Sequence, residues 1–193
     1  MRAFTPHIPD TVRPLKVQID KNKPLDIEIG AGAGLFAITH AKNNKDRQLI
    51  SIEHTKERFE RLQKRKKAHP DLENLKIVHA NAISWIAAHC QPESVDHIYL
   101  LYPNPWPKKK HQNQRWHQMP FMGFLLNCLK SDGKLTMATN LEWYKEEALF
   151  WFEKRWLRRV TCEKVVPGGA RTHFERKYLA RGESCFNLEV GRL

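Results

Sequence analysis

The chain has 193 residues, 41% of them hydrophobic, which suits one domain with a real core and excludes a disordered or membrane-embedded chain. Lys and Arg number 33 against 21 Asp and Glu, a net charge of +12, and an excess of that size draws polyanions, chiefly RNA, DNA or anionic lipid. Four widely spaced cysteines (Cys90, Cys128, Cys162, Cys185) with no C-x-x-C argue against a disulfide scaffold or zinc ribbon and for a cytoplasmic setting.

Residues 1 to 22 carry no periodic pattern and are expected to be loosely held, with a single domain over residues 23 to 193. No apolar run approaches a bilayer span and Met1 to His7 lacks the apolar stretch of a secretory signal, so neither membrane contact nor export is expected. Residues 25 to 29 read as a strand, and Gly30-Ala31-Gly32-Ala33-Gly34 turns into a helix over 35 to 42. A second strand spans 49 to 53. Thr55 suits the cap of a helix over 56 to 68, with Phe59 and Leu62 inward and nearly everything else charged.

A third strand at 75 to 79 leads to Asn81, a good cap for a helix over 82 to 89, and a fourth strand spans 95 to 101. Pro120 suits the first turn of a helix reaching about residue 130, with Phe121, Phe124, Leu125, Cys128 and Leu129 at core spacing. Asp132-Gly133 then turns into a strand over 134 to 138, followed by a Trp-rich helix over 141 to 156. Residues 158 to 166 and 184 to 190 read as two strands joined by a Gly-rich, basic loop. The alternation predicts an α/β fold: a mostly parallel sheet with helices on both faces and an antiparallel C-terminal edge pair.

In open α/β sheets ligands bind beyond the carboxyl ends of the strands. Glu28-x-Gly30-x-Gly32-x-Gly34 stands there, and its spacing differs from the G-x-G-x-x-G dinucleotide fingerprint. A carboxylate at Glu28 opposes a pyrophosphate but suits a cationic ligand such as the sulfonium and amino acid end of S-adenosylmethionine. Glu53 ends the second strand, where a carboxylate can accept from both ribose hydroxyls, and the Asn81 amide can meet adenine. Each has a plainer role open to it, Glu53 as a solvated strand end and Asn81 as a helix cap. Together they point to S-adenosylmethionine, bound by Glu28, Gly30, Gly32, Glu53 and Asn81.

The fourth strand ends in Pro103-Asn104-Pro105-Trp106-Pro107-Lys108-Lys109-Lys110-His111. Two prolines stiffen Asn104 and aim its amide at a base edge, and Trp106 offers a stacking face. Lys108, Lys109, Lys110, His111 and Arg115 supply phosphate contacts that position rather than specify. Arg58, Arg61, Lys64, Arg65, Lys66 and Lys67 read as a solvated helix face, whereas Arg171, Arg176, Lys177 and Arg181, interleaved with Thr172, Phe174 and Glu175, read as a binding loop. The histidines show no metal-ligand spacing, and no metal is expected.

These residues resemble the bacterial tRNA (guanine-N7-)-methyltransferases, the TrmB-like group of class I S-adenosylmethionine-dependent enzymes. The likeness runs from about Leu25 to the C-terminus. It rests on the E-I-G-x-G turn, Ile52-Glu53, the P-x-P-W-P-K-K loop, Ala138-Thr139 and Thr172-His173-Phe174-Glu175-Arg176. The resemblance implies a Rossmann-like class I methyltransferase sheet with one antiparallel strand. It implies that Glu28, Glu53, Asn81 and Asn104 line the cofactor, and that Lys108, Asn140 and Thr172, His173, Phe174 and Glu175 meet a guanosine in the variable region of tRNA. Asn104, beside the reacting atoms, is the residue expected to carry catalysis. The chain departs from the family pattern where Asp usually stands at Asn104 and Asn140, and often at Asn81. Cofactor binding is therefore expected to persist, with guanine N7 activity reduced or redirected. Two alternatives stay open: an exocyclic-amine methyltransferase, from the likeness of Asn104-Pro105-Trp106 to an N-P-P-[YFW] loop, and a non-catalytic RNA-binding paralogue. A monomer and a homodimer are both compatible with the sequence.

Overall fold

β1 (Leu25–Ile29) and β2 (Gln48–Glu53) are buried at every position, as strands must be when helices cover both faces of a parallel sheet. They belong to a computed structural model that describes residues 4–10, 12 and 17–193. With β3 (Leu75–His79), β4 (Val95–Leu101), β5 (Leu129–Thr139), β6 (Arg159–Lys164) and β7 (Phe186–Gly191) they form one sheet, ordered β3-β2-β1-β4-β5-β7-β6. β1 to β5 run parallel, and β7 is antiparallel to both β5 and β6. The strand order reverses between β1 and β4, which sets the switch point where a ligand crevice opens.

The helices are α1 (Leu35–Asn43), α2 (Lys56–Lys67), α3 (Ala82–His89), α4 (Phe121–Asn127), α5 (Glu142–Phe150) and α6 (His173–Ala180). One core packs Ala37, Ala41 and Leu62 of α1 and α2 on Leu49 and Leu75. The other packs Phe121, Leu125, Tyr144 and Phe152 on Ile27, Ile98 and Leu135. The sheet is thus covered on both faces. The charge inside it is satisfied: Asp26, fully buried, accepts from Arg47 at 2.5 and 2.9 Å and meets His40 at 2.8 Å. Among the described residues no helix is long and apolar enough to cross a membrane.

Three local expectations change. Thr55 precedes α2, but its side chain makes no cap; its N–H instead donates to Glu53 Oε1 at 2.7 Å. Asp132-Gly133 does not separate a helix from a strand. It forms a bulge within β5, where a Cβ on Gly133 would come within 2.9 Å of the backbone of Lys130 and of Val95, so only glycine fits without a shift. The expected basic loop after β6 contains α6, whose Thr172 Oγ1 accepts from Glu175 N at 3.0 Å; its T-x-x-E spacing is a capping signature legible in the chain. The described part of the N-terminal segment contacts the fold: Phe4 meets Phe121 and Phe124 at 5.1 and 5.5 Å, and His89 Nε2 lies 2.7 Å from the carbonyl of Val12. Residues 1–3, 11 and 13–16 of that segment lie outside the described residues.

Candidate active site at the carboxyl edge of the sheet

The turn between β1 and α1 folds back on β2. The N–H groups of Gly30 and Ala31 donate to Ile52 O at 2.9 and 3.0 Å, and Gly32 N donates to Glu53 Oε2 at 2.7 Å. Gly30, Gly32 and Gly34 take φ of +79°, +56° and +79°, the left-handed region that only glycine enters freely. A Cβ at Gly30 or Gly32 would meet no protein atom within 4 Å, whereas one at Gly34 would strike Leu62. The first two glycines therefore keep a crevice clear, and the third lets α2 close on the turn.

That crevice has a volume of about 860 Å³, large enough for a nucleoside-sized ligand. Glu28 and Glu53 stand in its wall, both almost wholly buried. Each Glu53 oxygen already accepts one backbone N–H, so the carboxylate is fixed in orientation with lone pairs left over. Glu28 accepts from Ser51 Oγ at 2.7 Å. Burial pushes its carboxyl up to about 7; Ser51 opposes this and the Glu53 charge adds to it. A buried acid that resists ionising is suited to a cationic ligand, which would stabilise its charged form. The open space over Gly30 and Gly32, the unshared Glu53 lone pairs and buried Glu28 fit S-adenosylmethionine.

The facing wall comes from the end of β4. Tyr102 and Trp106 have φ of +55° and +45°, strained for residues with a side chain. Asn104 borders the crevice, and its Oδ1 accepts from Trp106 N at 3.2 Å, a turn that engages the acceptor an exocyclic-amine reaction would need. Arg115 is not a phosphate contact. It is buried, forms a two-pronged pair with Glu147 at 2.7 and 2.8 Å, and donates to the carbonyls of Trp106 and Pro107. His117 Nε2 donates to the same carboxylate at 2.8 Å; burial draws this ring down to about 4, so it is neutral. Arg115 is what keeps the Pro-rich loop in its strained shape.

The C-terminal tail closes the third side, with Thr172, His173 and Phe174 at the crevice. Glu175 does not face it. It is fully buried beneath them, accepting from Tyr102 Oη at 2.7 Å and from Arg171 N, Nε and an Nη at 2.5, 3.2 and 2.7 Å. Burial draws this carboxyl up, but the hydrogen bonds from Arg171 and Tyr102 outweigh it and hold it below its ordinary value. Glu175 thus joins the tail to the end of β4.

Four further expected contacts lie outside the crevice wall. Asn81 caps α3, its Oδ1 accepting from Ile83 N and Ser84 N at 2.9 and 3.4 Å; a helix start leaves backbone donors that a side-chain oxygen must meet. Trp106 is half-buried with His111 against its ring at 5.5 Å, and Lys108 is exposed. Asn140 donates to Glu183 at 2.8 Å, so the carboxylate at that corner comes from a residue sequence reasoning passes over. The α2 cations are not merely a solvated face: Arg58, Arg61, Lys64 and Arg65 rim the crevice. Their i, i+3, i+7 spacing places Arg58, Arg61 and Arg65 along one helix side, but which side depends on how Leu62 packs under Gly34.

A strand-end crevice beside a glycine turn and two carboxylates, on this strand order, defines a class I methyltransferase, and S-adenosylmethionine is its cofactor. Residues 22–188 match the family model described as "Putative methyltransferase". Among solved structures, the 16S rRNA methyltransferase KamB superposes with a TM-score of 0.67 at 15% identity, covering 97% of this chain and 95% of that one. A TYW2 structure from M. jannaschii in complex with AdoMet gives 0.55 at 16%, over 91% of this chain and 72% of the other. At such identities the likeness is one of fold. The tRNA (guanine-N(7)-)-methyltransferase of Lactobacillus delbrueckii subsp. bulgaricus is 30% identical over 89% of this chain and 82% of its own. That of Thermotoga maritima is 30% identical over 83% of this chain. The chain spans about half the length of the Thermotoga relative, 51%. The chain belongs to the tRNA (guanine-N7-)-methyltransferase family.

Proposed function

We propose that this methyltransferase forms 7-methylguanosine in the variable region of tRNA. Two relatives are named tRNA (guanine-N(7)-)-methyltransferase, and one observation supports the reading most: Asn104 and Phe174 border the same crevice as Glu28 and the glycine turn. A base entering between Asn104 and Phe174 lies beside the cofactor. The cofactor supplies a methyl group on a cationic sulfur. Guanine supplies the N7 lone pair, so no residue needs to remove a proton before attack.

In this reading Glu28, Gly30, Gly32, Glu53 and Asn104 hold the cofactor, and Asn104, stiffened by its flanking prolines, orients the purine at the reacting atoms. Phe174, exposed at 46%, offers the stacking face, and Thr172 and His173 position the nucleotide. Lys108 reaches the neighbouring strand, and Asn140 presents the Glu183 carboxylate to the base edge. A neutral amide at Asn104 forgoes the stabilisation a carboxylate gives to charge arriving on the purine, so turnover is slow and Asn104→Asp raises it. The partner is tRNA, no metal takes part, and the enzyme works in the cytoplasm as a monomer or homodimer with one domain over residues 23–193. Incubation with unmodified tRNA and cofactor, followed by nucleoside analysis, is expected to yield 7-methylguanosine. Formation of N6-methyladenosine, or tRNA binding without any methylated product at high enzyme, overturns the reading.

A further inference from the structure

The two cationic segments that look separate in the sequence meet at one imidazole. His173, at the first turn of α6, has Nδ1 2.8 Å from the Arg176 guanidinium and Nε2 3.3 Å from that of Arg65 on α2, 108 residues away. A guanidinium only donates, and a neutral imidazole has one accepting nitrogen. The shorter contact uses it: Nδ1 accepts from Arg176. Nε2 then carries the hydrogen, and the 3.3 Å contact sets an N–H donor against a donor. A charged ring would be worse, with three cations in a row. Burial and then the charges of Arg65 and Arg176 lower the basicity of His173, so the ring is neutral.

No ion pair among the described residues resolves this conflict. The ion pairs of these two helices are Arg61 with Glu57 and Glu175 with Arg171, which leaves Arg65 and Arg176 without a carboxylate among the described residues. An anion carrying at least two acceptor oxygens would take the hydrogens of Arg65, His173 Nε2 and Arg176 together and turn a repulsive contact into three charge-assisted bonds. We infer that Arg65, His173 and Arg176 form a clamp between α2 and α6 for one phosphodiester of the RNA strand that enters the crevice. This rests on the proposal that the substrate is RNA.

Phosphate and the cofactor carboxylate share the required chemistry, and the surroundings favour phosphate. Arg58, Arg61 and Lys64 continue the rim from Arg65, and such a row matches a repeating polyanion. A single small carboxylate needs only one cation. The chain's net charge of +12 acts in the same direction.

The test is the salt dependence of binding to an unmodified tRNA transcript by fluorescence anisotropy, with cofactor affinity measured in parallel by calorimetry. Each phosphate contact contributes roughly 0.7 to 0.9 to the slope of log K against log salt. Arg65→Gln and Arg176→Gln should each weaken tRNA binding about three- to tenfold and flatten the slope by about one. Because both hold the same phosphate, the double variant should flatten it by about one and not two. Lys45→Gln, an equal charge loss at the opposite end of β2, should leave the slope unchanged, and cofactor affinity should stay within about twofold in every variant. An unchanged slope in the arginine variants, with wild-type protein binding tRNA, overturns the clamp and spares the substrate reading. Lost cofactor affinity at an unchanged slope assigns the anion to the cofactor and also overturns it. Failure of the wild-type protein to bind tRNA removes both.

Discussion

The two halves of the carboxyl edge are built from different materials. Beneath the cofactor half, the backbone sets the shape: N–H groups of the glycine turn donate to Ile52 and to Glu53, only 21 residues from Gly32. On the substrate half, paired side chains do so: an ion pair joins Arg115 to Glu147 over 32 residues and a hydrogen bond joins Tyr102 to Glu175 over 73. Backbone conformation is fixed by residue type at the position itself, whereas a side-chain pair needs two distant segments to arrive together. Substitutions in the first half should therefore separate binding from stability, and substitutions in the second should move both.

Glu147→Ala is the most severe way to test this contrast. It leaves buried Arg115 without its carboxylate and His117 without its acceptor. Removing one partner of a buried pair costs about 3–5 kcal/mol, and the Glu147 side chain is 27% exposed, so a loss near the lower end, about 3 kcal/mol, is expected in urea unfolding. The Trp106 loop should relax with it, and methyl transfer should fall much further than cofactor affinity. Equal losses in both would mean that the two halves are not separate. Gly32→Val comes next and works in the opposite sense. Its Cβ meets no protein atom but projects into the crevice from a strained backbone, so cofactor affinity should drop about 100-fold, roughly 2.7 kcal/mol, with a smaller change in stability. Unaltered affinity in calorimetry would remove the turn from the cofactor site.

The same contrast explains what can be read from the chain. Helix and strand alternation, the glycine turn, Glu28 and Glu53 are legible because each is a local pattern whose meaning does not depend on remote residues. Arg115 is not, because its run of neighbours Lys108 to His111 makes it look like one more surface cation until Glu147 arrives beside it. Glu175 misleads for the same reason: an acidic residue in a basic tail looks exposed, and only Tyr102 and Arg171 explain its burial. The bulge at Gly133 belongs to a class that sequence does not separate from a turn, since Asp-Gly serves both and the pairing of Val95 with Leu129 decides between them. Helix α6 is within reach, because T-x-x-E at Thr172 and Glu175 announces a capped start.

Glu28 gives a graded test of the cofactor half. Its folded-state value of about 7 lies above the ordinary 4.5, so the folded protein holds a proton that the unfolded chain has released. The stability of the unliganded protein should therefore fall as pH rises from 4.5 to about 7, by at most about 1.4 kcal/mol per unit, and level off above. A cationic ligand prefers the ionised acid, so cofactor affinity should move the other way. It should rise about tenfold per pH unit up to about 7 and then flatten. Calorimetry from about pH 5.5 to about pH 8 checks both the sign and the breakpoint, and Glu28→Gln should abolish the slope. A slope that survives Glu28→Gln would assign the titration to another group.

Asn81 produces the smallest effect and the finest distinction, because its two candidate roles use opposite ends of one amide. As a cap it needs only an acceptor oxygen, which meets Ile83 N and Ser84 N; as an adenine contact it would need its NH2 as well. Asn81→Ala should cost about 1 kcal/mol in thermal or urea unfolding, the usual loss of a cap. Asn81→Asp keeps the acceptor and adds a charge that the helix N-terminus favours, so it should be as stable as the parent. The capping role alone predicts that both variants, once folded, bind the cofactor within about twofold of the parent. An Asn81→Asp protein that is fully stable yet binds the cofactor several-fold more weakly would restore the amide to the site. It would also mean that the third strand end belongs with the first two in holding the cofactor.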